Sequence, residues 1–135
     1  PGVDSVDEVR TVAVTRTGGT NDVSREENGM AKYLISGSYT AQGAKGVLAE
    51  GGTGRREATE RVVSSVGGTV ESYYFGFGGN DFYLIADFPG HAAVVAATLT
   101  GAAAGGMTLS TTVLLTPEEI DEAAKLSADY RAPGA

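Results

Sequence analysis

The sequence predicts an α+β domain of the ferredoxin-like, split βαβ plan, in the order β-α-β-β-α-β. Three observations carry this reading. The aromatic runs Thr69–Phe77 and Phe82–Phe88 are joined by Gly78-Gly79-Asn80-Asp81, a hairpin signal. A strand and then helical spacing precede that hairpin, and an alanine-rich helical stretch and then a strand follow it. Doubled glycines punctuate the joins at Gly51-Gly52, Gly67-Gly68 and Gly105-Gly106.

The elements follow in order. Residues 1–29 hold six acidic and three basic residues and no aromatic, so they have little apolar area to offset the entropy of ordering. They read as a polar, mobile extension to a domain spanning residues 30–135. Lys32 to Thr40 is the first strand, with Tyr33, Ile35 and Tyr39 on one face, Gly37 between them, and Leu34, Ser36 and Ser38 on the other. Gln42 to Glu50 forms a short helix ended by Gly51-Gly52. A second helical stretch runs from Gly54 to Val66, with Ala58, Val62 and Val66 as its buried stripe and Val63 beside it. In the second strand Tyr73, Phe75 and Phe77 share a face, and Val70 and Tyr74 share the opposite one. Pro89-Gly90 ends the third strand, His91 to Ala104 is the second main helix, and Met107 to Leu115 is the last strand. Thr116-Pro117-Glu118-Glu119 supplies an N-cap, a proline at the first helical position and a capping-box glutamate for a short C-terminal helix.

Composition narrows the function. The 135 residues make one domain's worth of chain, 41% hydrophobic and 20% charged. The net charge of −7 and the lack of a basic stripe argue against nucleic acid and against an anionic membrane surface. With no cysteine there is no disulfide framework, thiol nucleophile or Cys-ligated metal. No apolar run reaches the roughly 18 residues of a membrane span. A cytoplasmic protein is expected.

Specific residues add a resemblance. Lys32-Tyr33-Leu34, Ser38-Tyr39-Thr40, Gly43, and Lys45-Gly46-Val47-Leu48 resemble the opening of GYD-domain proteins, a bacterial family. Gly52, Arg55-Arg56 and Ala58 resemble their first helix; Gly67-Gly68-Thr69-Val70-Glu71 and Tyr73-Tyr74-Phe75 resemble their second strand. Val113 with Leu114 to Glu119 resembles their closing segment. The tripeptide that names the family, Gly-Tyr-Asp, stands here as Gly79-Asn80-Asp81, without its tyrosine. The resemblance implies a dimeric α+β barrel type of fold, hence a homodimer or higher homo-oligomer, and it implies no settled activity.

Candidate chemistry is sparse. His91, the only histidine, stands at a helix start and offers a general base. One histidine without cysteine makes a transition-metal site or a haem a poor fit, so no metal and no cofactor is expected. Asp81 offers a ligand or proton contact, or simply turn chemistry. Arg55 and Arg56, beside Gly51-Gly52, offer an anion contact or a solvated face paired with Glu57 and Glu60. Gly51-Gly52-Thr53-Gly54 lacks the spacing and ending of a P-loop. Pro1 precedes a polar stretch rather than opening a core strand, as a tautomerase base would. The central aromatics, Tyr33, Tyr39, Tyr73, Phe75, Phe77 and Tyr83, serve core, interface or cavity lining.

These residues suggest a small-molecule binding or accessory protein. The alternative is a cofactor-independent enzyme of the barrel type, monooxygenase- or isomerase-like, with Asp81, His91 or a tyrosine moving the proton. The candidate ligand-binding residues are Tyr39, Thr40, Arg55, Tyr74, Asp81 and His91, and no catalytic residue is assigned. Taking the first and third strands as parallel puts Thr40 and His91 at one end of the sheet and Asp81 at the other. The expected site is then the end bearing Tyr39, Thr40, Arg55 and His91, with Asp81 mainly shaping the hairpin.

Overall fold

The computed structural model describes residues 29–135, so the reading of residues 1–28 as an extension lies outside the described residues. Two compact units are present among them, Gly29–Leu114 and Leu115–Ala135.

The first unit runs β1 (Ala31–Tyr39), α1 (Ala41–Ser65), β2 (Thr69–Phe75), β3 (Phe82–Phe88), α2 (His91–Ala103) and β4 (Met107–Val113). The order is the one expected. The four strands lie as β2-β3-β1-β4, and every neighbouring pair is antiparallel. Alternation in β1 and β3 builds the core. Tyr33 stands opposite Ala86, Ile35 opposite Leu84, and Gly37 opposite Phe82, all on the buried face. Val63 of α1 and Val94 and Ala97 of α2 close over them, so both helices cover this face. Burying a side chain of this size contributes about 1.5–3 kcal/mol each relative to exposure.

The other face carries Lys32, Leu34, Ser36 and Ser38 of β1, with Tyr83, Ile85 and Asp87 of β3 as their neighbours. Leu34 and Ile85 are directly opposed there. Lys32 is paired with Glu71 and, at 3.0 Å, with Asp87. Burial alone would lower the Lys32 pKa, but the bonds to Glu71 and Asp87 outweigh it and hold it above its ordinary value.

Four details correct the sequence reading. First, β1 and β3 are antiparallel, not parallel. Helix α1 returns the chain to the starting end, so β2 runs with β1, and the hairpin then reverses β3. Second, β2 carries a bulge between Val70 and Ser72. The extra residue, Glu71, shifts the alternation by one, so Val70 packs against the core with Tyr73 and Phe75 rather than sharing a face with Tyr74. Third, β2 stops at Phe75; Phe77 lies beyond it, exposed but stacked on Phe75 with centroids 6.2 Å apart. Fourth, Val63 rather than its neighbours is the buried centre of the α1 stripe.

Helix α1 is two helical halves meeting at Gly51, whose φ of 81° and ψ of 167° lie in a region essentially reserved for glycine. The helix starts under a Thr40 cap, whose hydroxyl accepts from Gly43 N at 3.1 Å. Gly43 is needed for close approach: a Cβ there would fall 1.9 Å from the carbonyl oxygen of Gly106.

In the second unit, α3 (Pro117–Lys125) forms as its start signal predicts. Thr116 Oγ1 accepts from Glu119 N at 3.1 Å, and Glu119 Oε1 accepts from Thr116 N at 2.8 Å. Leu115, Ile120, Leu126 and Tyr130 are exposed.

Candidate functional site

The antiparallel register decides which candidate residues meet. Asp81 comes to the end of β1 beside Tyr39. Its Oδ2 accepts from Tyr39 N at 2.8 Å, its own N–H donates to Gly37 O at 2.8 Å, and its carbonyl accepts from Gly76 N at 3.0 Å. The hairpin turn is thereby tied to the last residues of β1. Thr40 is held from the other side, because its N–H donates to Gly106 O at 3.0 Å and its hydroxyl donates to the same oxygen at 3.2 Å. Tyr39 thus leaves the sheet between two fixed points, and its ring packs on Phe82 with centroids 5.1 Å apart.

Above this end lies a cavity of about 390 Å³, bounded by both halves of α1, by α2 and by the start of β4. Its wall is largely apolar: Val47, Ala58 and Val62 of α1, Ala97 and Gly101 of α2, and Met107 of β4. Tyr39, Gln42, Glu50, Arg55 and Thr100 supply the polar groups. The volume is near the lower end of small-molecule sites.

Two of the polar groups are informative. Arg55 Nη1 donates to Glu50 Oε2 at 3.0 Å, a bond that spans the Gly51 break. Burial works against the Arg55 charge, but the Glu50 bond outweighs it and the pKa is raised. Tyr39 Oη is sealed from solvent and makes no hydrogen bond. Tyr73 is its side-chain hydrogen-bonding neighbour, at a geometry looser than a full hydrogen bond. Burial, followed by the Tyr73 interaction, pushes the Tyr39 phenol up and keeps it protonated, against a smaller opposing pull from Arg55. A buried hydroxyl left without a partner costs about 1–3 kcal/mol.

The six sequence candidates therefore separate. Tyr39 and Arg55 line the cavity. Thr40 and Asp81 are not part of the lining but hold the end of β1 that carries Tyr39, Asp81 by its bond to Tyr39 N and Thr40 by its bonds to Gly106 O. His91 is at the opposite end, because β3 and β1 run in opposite directions: Ala31 of β1 pairs with Phe88, just ahead of His91. There its Nδ1 and the Tyr33 hydroxyl share a hydrogen bond of 2.7 Å, whose direction follows the imidazole tautomer. Tyr74 projects from the uncovered sheet face and is exposed. The expected grouping of Tyr39, Thr40, Arg55 and His91 is corrected accordingly: Asp81, not His91, joins the first three.

Sequence reading missed Glu50, Val47, Val62, Thr100 and Met107 as lining. A signal was present in the spacing of small residues. Ala97 and Gly101 on α2 and Ala104 at its cap recur at intervals of four and three, and Gly43 and Gly46 of α1 line the same cavity, which leaves room between the helices. Among the described residues, no group of three His, Asp or Glu is placed to hold a metal ion, and no helix is long and apolar enough to cross a membrane.

Comparison with known proteins gives few relatives. No curated protein matches the chain. The crystal structure of MtbAldR is similar over 83% of this chain at 14% identity and a TM-score of 0.48; the chain spans 65% of that protein's length. A protein of unknown function from Nitrosomonas europaea, NE2512, is similar over 74% of this chain and 97% of its own, at 18% identity and a TM-score of 0.36. The family model of the GYD domain matches residues 33–124, from β1 through the sheet and both helices of the first unit and into α3. With that span of matched sequence and the β-α-β-β-α-β sheet it describes, the chain belongs to the GYD domain family.

Proposed function

We propose that the protein binds a small, mainly apolar molecule in the cavity between α1 and α2, as a homodimer and without chemistry of its own. The observation that carries this reading is the cavity of about 390 Å³ itself, with an apolar wall from both helices and the Arg55–Glu50 pair as a polar group on its lining.

The cofactor-independent enzyme reading gains no such support. It needs a group at the cavity that can take a proton. His91 lies at the far end of β1, the Glu50 carboxylate is paired with Arg55, the Asp81 carboxylate is engaged by Tyr39 N–H, and burial keeps the Tyr39 phenol neutral. The dimer is supported by the sheet's uncovered face. Leu34 and Ile85 oppose each other there, and the adjacent pair Tyr74 and Tyr83 is exposed. Apolar groups clustered on an uncovered sheet face are suited to a second copy. The reading also places the protein in the cytoplasm, in keeping with the absence of cysteine.

Native mass measurement of the purified full chain tests both parts. The expected result is twice the mass of one chain, with retained small molecule that is lost in Gly46→Phe. Gly46 lines the cavity and has open space where a side chain would start, so the substitution fills the cavity without a clash at Cβ. A single-chain mass refutes the dimer. Ligand retention unchanged in Gly46→Phe refutes the cavity as the site.

A further inference from the structure

We infer that the open edge of β4 is a contact for a second copy of this chain, the two β4 strands pairing antiparallel about a two-fold axis. The contact is separate from the uncovered sheet face and goes beyond the dimer proposed there.

The backbone shows which groups the edge offers. Leu114 N donates to Lys32 O and Thr40 N donates to Gly106 O, each at 3.0 Å, so the even-numbered residues of β4 turn their backbone groups toward β1. Alternation then turns the N–H and C=O of Leu109, Thr111 and Val113 to the other side. β4 is the last strand of the order β2-β3-β1-β4, so among the described residues no strand stands there to take them.

The two edges of the sheet differ. β2 carries a charge at Glu71 and a bulge at the same place, devices that discourage strand addition. β4 has neither. Its register against β1 is unbroken, and Thr108, Ser110, Thr111, Thr112 and Val113 are exposed with no charge or proline among them. An unguarded edge of strand-forming residues is a template for another strand.

Charge decides whose strand it is. The stretch from Phe88 to Pro117, which includes α2 and β4, holds no Asp, Glu, Lys or Arg, in a chain of net charge −7. In a two-fold contact the groups near the axis face their own counterparts, so an acidic face would repel its copy and this face does not. A pairing centred on Thr111 sets Thr111 against Thr111 and Leu109 against Val113 on both sides of the axis, which covers the exposed Val113. The axis is perpendicular to the sheet, so both α2 helices lie on one face of the joined sheet, where the exposed Val95 and Leu99 add apolar area.

Size sets the strength of the contact. The seven residues of β4, at about 3.3 Å each, make an edge about 23 Å long; with a sheet and one helix layer about 20 Å deep, each copy loses about 460 Å². The pair stays below the roughly 1,200 Å² of stable interfaces. The contact therefore joins copies at near-millimolar concentration and is absent at the micromolar concentrations of a mass measurement.

Sedimentation equilibrium of the full chain from micromolar to near-millimolar concentration, with amide exchange by NMR at both ends of the range, tests this. The expected result is an average mass that climbs toward twice its micromolar value, with slowed exchange at Leu109, Thr111 and Val113 and no slowing along β2. Thr111→Lys, which opposes two ammonium groups at the axis, should abolish both the climb and the slowing. Thr111→Pro should do the same while keeping every bond to β1, because the Thr111 N–H points outward. A mass that stays flat overturns the inference, and so does a climb that survives both substitutions. Where a variant fails to fold by circular dichroism, the parent chain decides: fast exchange of the three amides at high concentration overturns the inference. The micromolar mass reports the sheet-face dimer on its own, so either contact can fail without the other.

Discussion

Asp81→Ala is expected to destabilise the fold by about 2 kcal/mol. The carboxylate is not spare: Oδ2 accepts from Tyr39 N at 2.8 Å, where β1 leaves the sheet and no strand carbonyl is in place to accept. Removing it strands a half-buried backbone N–H, and hydrogen bonds to charged groups contribute about 1.5–3 kcal/mol. The other Asp81 bonds use its backbone and survive the change. Asp81→Asn keeps an acceptor oxygen in the same position and loses only the charge, so its cost should be about half as large. Against a usual stability of about 5–15 kcal/mol, the alanine variant remains folded and measurable. The assay is urea unfolding followed by far-ultraviolet circular dichroism, since the chain has no tryptophan. The midpoint should fall with the slope unchanged. Amide exchange should show faster opening at Tyr39 than elsewhere in β1. A loss below about 0.5 kcal/mol, within the range of ordinary surface substitutions, would refute the reasoning. So would an asparagine variant as damaged as the alanine one.

Three further outcomes are expected. Gly43→Ala should lower stability by about 1–3 kcal/mol in the same urea assay, despite alanine's better helix propensity, because its Cβ would meet the Gly106 backbone oxygen. His91→Ala should lower stability by about 0.5–1.5 kcal/mol in the same assay, the usual worth of its hydrogen bond with the Tyr33 hydroxyl, and leave ligand retention by the cavity unaltered, since His91 does not line it. Stability should also fall in alkali. Tyr39 and Lys32 both have folded pKa values raised above their ordinary 10.0 and 10.5, so their contributions are complete below about pH 10 and are lost as pH climbs through the folded values. The loss is at most about 1.4 kcal/mol per pH unit for each group, and Tyr39→Phe should make the alkaline limb of unfolding midpoint against pH shallower.

Much of the fold was legible because its signals are local. Alternation fixed the faces of β1, the glycine pairs fixed the ends of the helices, and Thr116-Pro117-Glu118-Glu119 fixed the start of α3 down to its capping box. The failures have physical causes. A bulge leaves no mark in a run of strand-forming residues, so Val70 was assigned to the wrong face. The lining of the cavity depends on how two helices lean on one another, which no single helix reports. Tyr39 and Arg55 were found for their chemistry, whereas Glu50 and Thr100 matter here through position alone.

The position of the site was within reach of the element order. A crossover helix returns the chain to the end where the previous strand began, so β2 runs with β1 and β4 runs with β3. A hairpin reverses direction, so β3 and β4 both oppose β1, as their pairings show. It follows that the end of β1, the turn before β3 and the entry to β4 gather at one end of the sheet. Asp81 from the turn and Gly106 from the entry each bond to the Tyr39–Thr40 segment there. This gives the Gly79-Asn80-Asp81 tripeptide a structural role that does not need a tyrosine. Its aspartate fastens the hairpin to the end of β1 and thereby sets the direction in which Tyr39 leaves the sheet. The middle residue contributes its backbone, as Asn80 O accepts from Gly78 N at 3.3 Å. Asn80 in place of the phenol therefore leaves the bond from Asp81 to the end of β1 intact.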